Sequence, residues 1–414
     1  MRVLIRFEVE NFRSILGPVE LSMVAVDERP EVRAFPKLGA SLVPVAGIFG
    51  PNASGKSNVL AALDWLRWSI QNSLLNWDDE IPVEPFAFGG ADSRDSSFAL
   101  ELEIEGVRFE YLLDVGRERV GYEALFHYPE GRRRRIFERE GNDLVFQRGL
   151  GELSGARALL TDRSLVLSIV RRFDEPETSA FVRAVLRSVV FGGRIRTLPQ
   201  RGHYSADSTL LLFGPSDDKD GGADQDAERR HAIALLQLAD LGITDVEIEE
   251  SQGNPREPVI RIPRLVHSVG DQRLPFEYRD ESAGTRTWFQ LIGPLLAALR
   301  HGAIVLFDEL DASLHPTLTA QLVRLFTGTT SNPNGAQLVF TSHDTNLLNH
   351  LNRDEVWLTE KDANGATRFA ALSDFAGERV RRSANIESGY LSGRFGALPD
   401  VSRPEVLRDL GLIG

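Results

Sequence analysis

Cysteine is absent from the 414-residue chain, which excludes disulfides, thiolate zinc sites and a cysteine-based zinc hook and agrees with a reducing compartment. Lysine is nearly absent as well: Lys37, Lys56, Lys219 and Lys361 are the whole set, so 43 of the 47 basic residues are arginine. No apolar run reaches the roughly eighteen residues of a membrane span. The first thirty residues carry Arg2, Arg6, Glu8, Glu10 and Arg13 among the apolar ones, which does not fit a secretion signal, so the expected location is the cytoplasm and no membrane partner is expected. Neither a repeat of fixed period nor a sustained heptad occurs, which excludes long coiled-coil arms. The net charge of −13 gives no global electrostatic reason to seek nucleic acid. Arg132 to Arg135 is the one sharp basic run, with looser clusters at Arg194, Arg196 and Arg201 and at Arg379, Arg381 and Arg382; such runs usually mark a solvated face.

What is present reads as a globular chain long enough for two or three domains, with 42% hydrophobic and 26% charged residues. Val3 to Val9 alternates apolar and polar residues, which predicts a strand, and a second strand is predicted at Glu20 to Val24. Val43 to Phe49 is a short apolar run ending in a glycine-bearing loop, and Ser57 to Ile70 has helical spacing. From Ser97 to about Gln147 the period becomes two, as in an antiparallel meander. Residues from about 150 to 200 look helical. Gly214 to Asp226 is rich in Asp and Gly and reads as a mobile linker, followed by a helix over 227–240 and a strand at Asp245 to Glu249. Trp288 to Leu299 and Pro316 to Phe326 read as helices alternating with buried strands at Ala303 to Phe307 and Gln337 to Thr341, the pattern of a parallel sheet flanked by helices.

Gly50-Pro51-Asn52-Ala53-Ser54-Gly55-Lys56-Ser57 fits the phosphate-loop pattern in full, between a strand and a helix. Backbone N–H groups of such a loop wrap phosphates, and the helix N-terminus that follows, from Ser57 and Asn58, adds positive dipole. Lys56 is expected to reach the β- and γ-phosphates and the Ser57 hydroxyl to ligate Mg²⁺. In a chain that otherwise chooses arginine, lysine here argues for a compact ammonium rather than a planar fork. The strand at 303–307 ends in Asp308-Glu309: Asp308 is placed to hold Mg²⁺ through water and Glu309 to face the water that attacks the γ-phosphate. Past the next buried strand, Ser342-His343-Asp344 puts a histidine where it can donate to the γ-phosphate or position that water. Ser282 and Gly284, ahead of the Trp288 helix, offer a second anion-binding helix start, although the same residues also serve as an ordinary N-cap.

The order of these motifs resembles the ABC-type ATPases related to the RecF, SMC and Rad50 proteins. The resemblance implies an α/β P-loop NTPase fold in which Ser282 and Gly284 belong to a signature motif that closes on ATP bound to a second copy. It makes Glu309 the catalytic glutamate, Asp311 the D-loop acid and His343 the switch histidine. Phe12-Arg13-Ser14 is similar to the N-terminal motif of those proteins, which places Arg13 near the nucleotide. The match tightens toward an AAA15-like bacterial group that includes the RloA and AbiL anti-phage ATPases, through Asp240-Leu241-Gly242-Ile243, Asp308-Glu309-Leu310-Asp311, Leu314-His315-Pro316, Arg353-Asp354-Glu355-Val356-Trp357 and the tail from Gly389 to Pro399. Members of that group imply a separately encoded Toprim-type nuclease as partner. The signature lacks the full Leu-Ser-Gly-Gly-Gln form, and Gln71, at a predicted helix end, is a poor candidate for the Q-loop glutamine.

The chain is therefore expected to be an α/β P-loop ATPase with ATP and Mg²⁺ as cofactors, an antiparallel β subdomain and an inserted helical lobe. The division is an N-terminal ATPase half over 1–90, the β subdomain over 91–150, the helical insertion and acidic linker over 151–230, and the C-terminal ATPase half over 231–414. It is expected to pair with itself around ATP as a homodimer or larger assembly and to regulate a nuclease effector in anti-phage defence. A RecF-like DNA-repair clamp is the alternative, kept open by Arg132 to Arg135. A stand-alone nuclease would need a carboxylate cluster of its own, and Asp218-Lys219-Asp220 in the linker reads as solvated.

Overall fold

A computed structural model describes residues 1–147, 151–173, 175–192, 206–214, 222–251, 260–312, 314–375 and 386–397. The central element is a six-stranded sheet in the order Val189–Phe191, Ile304–Phe307, Gln337–Thr341, Val45–Phe49, Val356–Lys361 and Thr367–Ala371. The first five strands are mutually parallel, and the sixth closes as an antiparallel hairpin. Val45–Phe49, Ile304–Phe307 and Gln337–Thr341 are buried at every position. That is why they read as continuous apolar runs rather than as alternating ones.

A seven-stranded antiparallel sheet lies on one side. Its order is Asp143–Phe146, Arg134–Glu140, Val120–His127, Val107–Val115, Ser96–Ile104, Arg2–Glu10 and Val19–Ser22, so the meander continues the sheet opened by the first strand of the chain. The helix Lys56–Asn76 is clamped between the two sheets. One apolar core joins its Val59, Leu60, Leu63, Trp65, Leu66 and Ile70 to Leu4 and Phe7 of the antiparallel sheet and to Ile48, Leu306 and Val339 of the parallel one. A helix that is apolar nearly all round is one with protein on every side. The opposite face of the parallel sheet carries Phe49, Val305, Leu338 and Phe340 into a second core with the helices Gly222–Ala239, Ala283–His301 and Pro316–Thr327.

Several sequence expectations are corrected here. The stretch read as helical to about residue 200 does hold the helices Val166–Val170 and Pro176–Leu186, but it then supplies Val189–Phe191 as an edge strand of the parallel sheet. Three residues are too few to show a period. The strand predicted at Asp245 to Glu249 is the first of three: Ile243–Ser251, Ile260–Val269 and Gln272–Glu277 form their own antiparallel sheet. The helix predicted to end near Ile70 runs on to Asn76, so Gln71 lies within it. Of the proposed mobile linker, residues 215–221, with Asp218-Lys219-Asp220, lie outside the described residues, and from Gly222 the chain is helical. Arg194, Arg196, Arg201, Arg379, Arg381 and Arg382 also lie outside them. Among the described residues, no helix is long and apolar enough to cross a membrane.

Candidate nucleotide site

Three neighbouring parallel strands deliver the sequence-predicted residues to one edge of the sheet. Val45–Phe49 runs into the loop 50–57, Gln337–Thr341 beside it runs into Ser342 and His343, and Ile304–Phe307 next in line runs into Asp308 and Glu309. The carboxyl edge of an open parallel sheet is where ligands bind in α/β proteins, because the loops there diverge and helix N-termini point at the gap.

The loop conformation requires its glycines. Gly50 and Gly55 have φ of 151° and 103°; a Cβ at Gly50 would lie 2.3 Å from the Thr359 carbonyl oxygen, and one at Gly55 would lie 2.0 Å from the hydroxyl of Thr367, on the strand paired with that of Thr359. Gly55 caps the helix Lys56–Asn76, so free N–H groups and the dipole of a 21-residue helix face the loop. Ala53 also adopts a positive φ, 61°, and is exposed with Asn52 at the tip.

Hydroxyl groups from distant strands hold this cradle. Thr367 Oγ1 donates to the Ser54 carbonyl at 2.9 Å, and the Ser14 and Thr367 hydroxyls are 2.7 Å apart. A hydroxyl has one proton, so Ser14 is the donor of that second bond. Asn58 Nδ2 in turn donates to Ser14 Oγ at 2.6 Å. Thr359 Oγ1 donates to the Phe49 carbonyl at 3.2 Å and lies 2.6 Å from the Ser54 hydroxyl. Sequence reasoning missed Thr359 and Thr367 because nothing local distinguishes them; they sit more than 300 positions from the loop they hold.

Lys56 is buried at 6% exposure, and its ammonium donates to the carbonyls of Gly50 at 2.7 Å and Pro51 at 3.0 Å. Its third neighbour is His343 Nδ1 at 3.4 Å. An ammonium only donates, so this contact makes Nδ1 the acceptor and leaves the ring proton on Nε2. The His343 N–H donates to Asp311 Oδ1 at 3.1 Å, which brings the acid of the following turn to the same place.

One residue fixes the acidic pair. The Thr341 hydroxyl donates to Asp308 Oδ1 at 2.7 Å and accepts from the Glu309 N–H at 2.7 Å. Asp308 is 3% exposed, and its own N–H continues the ladder to the Phe191 carbonyl at 3.0 Å. Glu309 has φ of 54°, a strained conformation for a residue with a Cβ that persists where its surroundings enforce it. Asp308 at a strand end and the Ser57 hydroxyl in the loop are hard oxygen donors, few in number, which suits Mg²⁺, an ion that keeps several of its own waters.

The motif Phe12-Arg13-Ser14 divides its labour. Phe12 is fully buried against Trp65 and Phe98, and Ser14 joins the hydroxyl network under the loop. The Arg13 guanidinium is turned to Glu84, with Nε and one terminal nitrogen each 3.0 Å from a carboxylate oxygen. The fork-to-carboxylate geometry is bidentate, and Glu84 is a further residue that sequence reasoning missed. Ser282 caps the helix Ala283–His301, its Oγ accepting from the Thr285 N–H at 3.1 Å. Ser282 is exposed, and a Cβ at Gly284 would meet only Ser282 Oγ, at 3.8 Å.

A glycine cradle at a helix start, flanked by an acidic strand end, defines a P-loop nucleoside-triphosphatase site on a parallel sheet. The chain belongs to the family described as AAA domain, putative AbiEii toxin, Type IV TA system, whose model matches residues 45–349 and so takes in the loop, Ser282, the acidic pair and His343. Its matched region is an AAA-type ATPase domain. Among solved structures, it is similar to an SMC head bound to the C-terminal winged-helix domain of ScpA, at 14% identity and a TM-score of 0.45, over 89% of this chain and 97% of that one. The SMC head domain from Thermotoga maritima shows 12% identity and a TM-score of 0.42, over 89% and 98%. An SMC head with an extended coiled coil, bound to the C-terminal domain of ScpA derived from Pyrococcus furiosus, gives 14% and 0.46, over 90% and 98%. At such scores nothing of those proteins' activity or partners transfers to this chain. No curated protein sequence matches it.

Proposed function

We propose that the chain binds ATP with Mg²⁺ on the loop 50–57 and hydrolyses it in a site completed by a second copy. The observation that carries this reading is the convergence of the loop, the Thr341-held acidic pair and His343 on three adjacent strand ends. Lys56 and the loop amides would neutralise the β- and γ-phosphates, and Ser57 and Asp308 would hold the metal, which supplies charge stabilisation when bound. Glu309 would orient and deprotonate the attacking water, with His343 beside it. The helix start supports closure in trans: Ser282 is exposed and Gly284 half-buried, and the Ser282 hydroxyl bonds to Thr285 in its own helix turn. Asp311 sits at the same edge, where the two copies would meet. Arg13 would act near the nucleotide once released from Glu84.

The biological reading is a regulatory ATPase of a bacterial anti-phage system acting in the cytoplasm with a separately encoded Toprim-type nuclease. Its support is the sequence resemblance together with the family assignment. The test of the shared site is complementation: inactive Ser282→Arg mixed with inactive Lys56→Ala should regain turnover, because each supplies what the other lacks, and a mixture that stays dead rejects the shared site. A nuclease reading frame next to this one that co-purifies with the ATPase supports the defence role; replication or repair genes in its place count against it.

A DNA-repair clamp is the second reading. Arg132 to Arg135 are all exposed, at the start of Arg134–Glu140, the second strand from one edge of the antiparallel sheet, and in the turn before it. Arg133 is, however, already engaged, 3.0 Å from Glu110 and over the Phe126 ring. ATP-dependent, salt-sensitive DNA binding that disappears on changing these arginines would favour the clamp.

A further inference from the structure

The Asp240-Leu241-Gly242-Ile243 motif has no part in the site as described so far. In the structure it forms the turn between the helix Gly222–Ala239 and the strand Ile243–Ser251, with Asp240 Oδ1 accepting from the Gly242 N–H at 2.8 Å. The other oxygen of Asp240 lies 3.9 Å from His267 Nδ1, too far for a hydrogen bond but close enough to bias the ring electrostatically. His267 belongs to the neighbouring strand, directly opposite Ile243. Its Nε2 lies 2.8 Å from Glu281 Oε1, and Glu281 immediately precedes Ser282, the cap of the signature helix. The ring is further fixed edge-on by Phe276, with centroids 5.0 Å apart. Glu281 is 8% exposed at its side chain, so His267 is its partner in a largely dry setting, where a hydrogen bond to a charged group is strong. A second tie runs behind it: the Trp288 indole of the same helix donates to the Leu235 carbonyl at 2.6 Å.

We infer that His267 is a positioning residue for the signature: through Glu281 it sets where Ser282 and Gly284 present themselves to the nucleotide held by the other copy. This rests on the proposed shared site. It gives the Asp240 turn a function, because the imidazole links the turn and the middle strand of the three-stranded sheet to Glu281, beside the Trp288 tie and the chain's own run from Gln272–Glu277 into Ser282. Leu241, 87% exposed at the tip of the turn, makes that turn accessible to whatever moves it.

The experiment is a complementation with direction. His267→Ala should lower turnover on the order of 10- to 100-fold, the usual consequence of misplacing a reacting partner by a fraction of an ångström to an ångström, while the nucleotide affinity of the lone chain stays at its normal value. His267→Gln, which keeps an N–H for Glu281, should recover most of the loss. Mixed with Lys56→Ala, which contributes an intact signature, His267→Ala should regain turnover; mixed with Ser282→Arg it should not. The reverse pattern, rescue by Ser282→Arg only, would place His267 on the phosphate-loop side and overturn the inference, as would normal turnover of His267→Ala. Rescue by both partners or by neither, while the reference pair works, also overturns it. The reference pair of Lys56→Ala and Ser282→Arg separates the two levels: if that pair fails, the shared site falls, and this inference falls with it.

Discussion

In the antiparallel sheet, Glu123 and Arg139 face each other across neighbouring strands and are both fully buried. Glu123 accepts from the N–H groups of Val166 and Leu167 and from the Tyr111 hydroxyl, and Arg139 donates to the carbonyls of Gly141, Thr161 and Ser164. At the parallel sheet, Lys56 and Asp308 are buried almost as deeply, yet they stand at a helix start and a strand end beside the exposed Asn52, Ala53 and His343. Both pairs carry the desolvation cost of a buried charge. The first offsets it by fastening the helix Val166–Val170 to the sheet. The second is positioned where a phosphate and a metal would offset it. Depth of burial therefore does not tell a structural charge from a functional one, and neither do backbone partners, since Lys56 also donates to the carbonyls of Gly50 and Pro51; what differs is that Lys56 and Asp308 lie beside exposed residues at the edge of their sheet.

That contrast can be broken most sharply at Lys56. Lys56→Ala should cut turnover on the order of 100-fold or more, the scale of losing one preorganised charge-stabilising group, with ATP no longer bound in a calorimetric titration and the thermal midpoint nearly unchanged. Glu309→Gln should lower turnover roughly 100- to 10,000-fold, the range for general-base groups, but retain ATP and accumulate as a dimer in size-exclusion chromatography. A Glu309→Gln chain that turns over normally assigns the base elsewhere. Arg139→Ala should do the opposite: it leaves Glu123 buried without its cation and costs about 3–5 kcal/mol in urea unfolding, while the folded fraction binds ATP as tightly as before. Thr341→Val tests the border between the two regimes. Loss of its hydroxyl strands the Glu309 N–H and releases Asp308, so about 1–3 kcal/mol of stability and a measurable part of the turnover should be lost together.

The smallest effect is on pH. Burial raises the Glu123 carboxyl above its ordinary value despite Arg139 nearby. The folded state therefore holds its proton to higher pH than the unfolded state does, and stability contributed by this group falls as pH rises from the ordinary glutamate value toward the raised one. Glu123→Gln should remove that share of the slope in thermal midpoints measured across this window.

The placement of the site's residues was legible in sequence because loop, acidic pair and histidine are each written within a few consecutive residues, at the ends of strands whose apolar runs announce full burial. What supports them was not. Thr341, Thr359 and Thr367 are ordinary strand threonines until the sheet order sets them beside the acids and the loop, and Glu84 is one glutamate among many until Arg13 turns to it. The fold was legible to a similar depth. Alternation announced the meander, but not its joining to the opening strand. The hairpin Ile260–Val269 and Gln272–Glu277 was hidden because its second strand is largely exposed and mixes Arg273 and Pro275 with Leu274 and Phe276.

The hydroxyl latch on the phosphate loop also has a timetable. Thr367 lies 313 positions beyond the Ser54 carbonyl it holds, so at roughly 5–20 residues per second a ribosome spends roughly 15 to 60 s making the chain between them. During synthesis the glycine cradle leaves the ribosome well before its latch and waits unlatched over that interval.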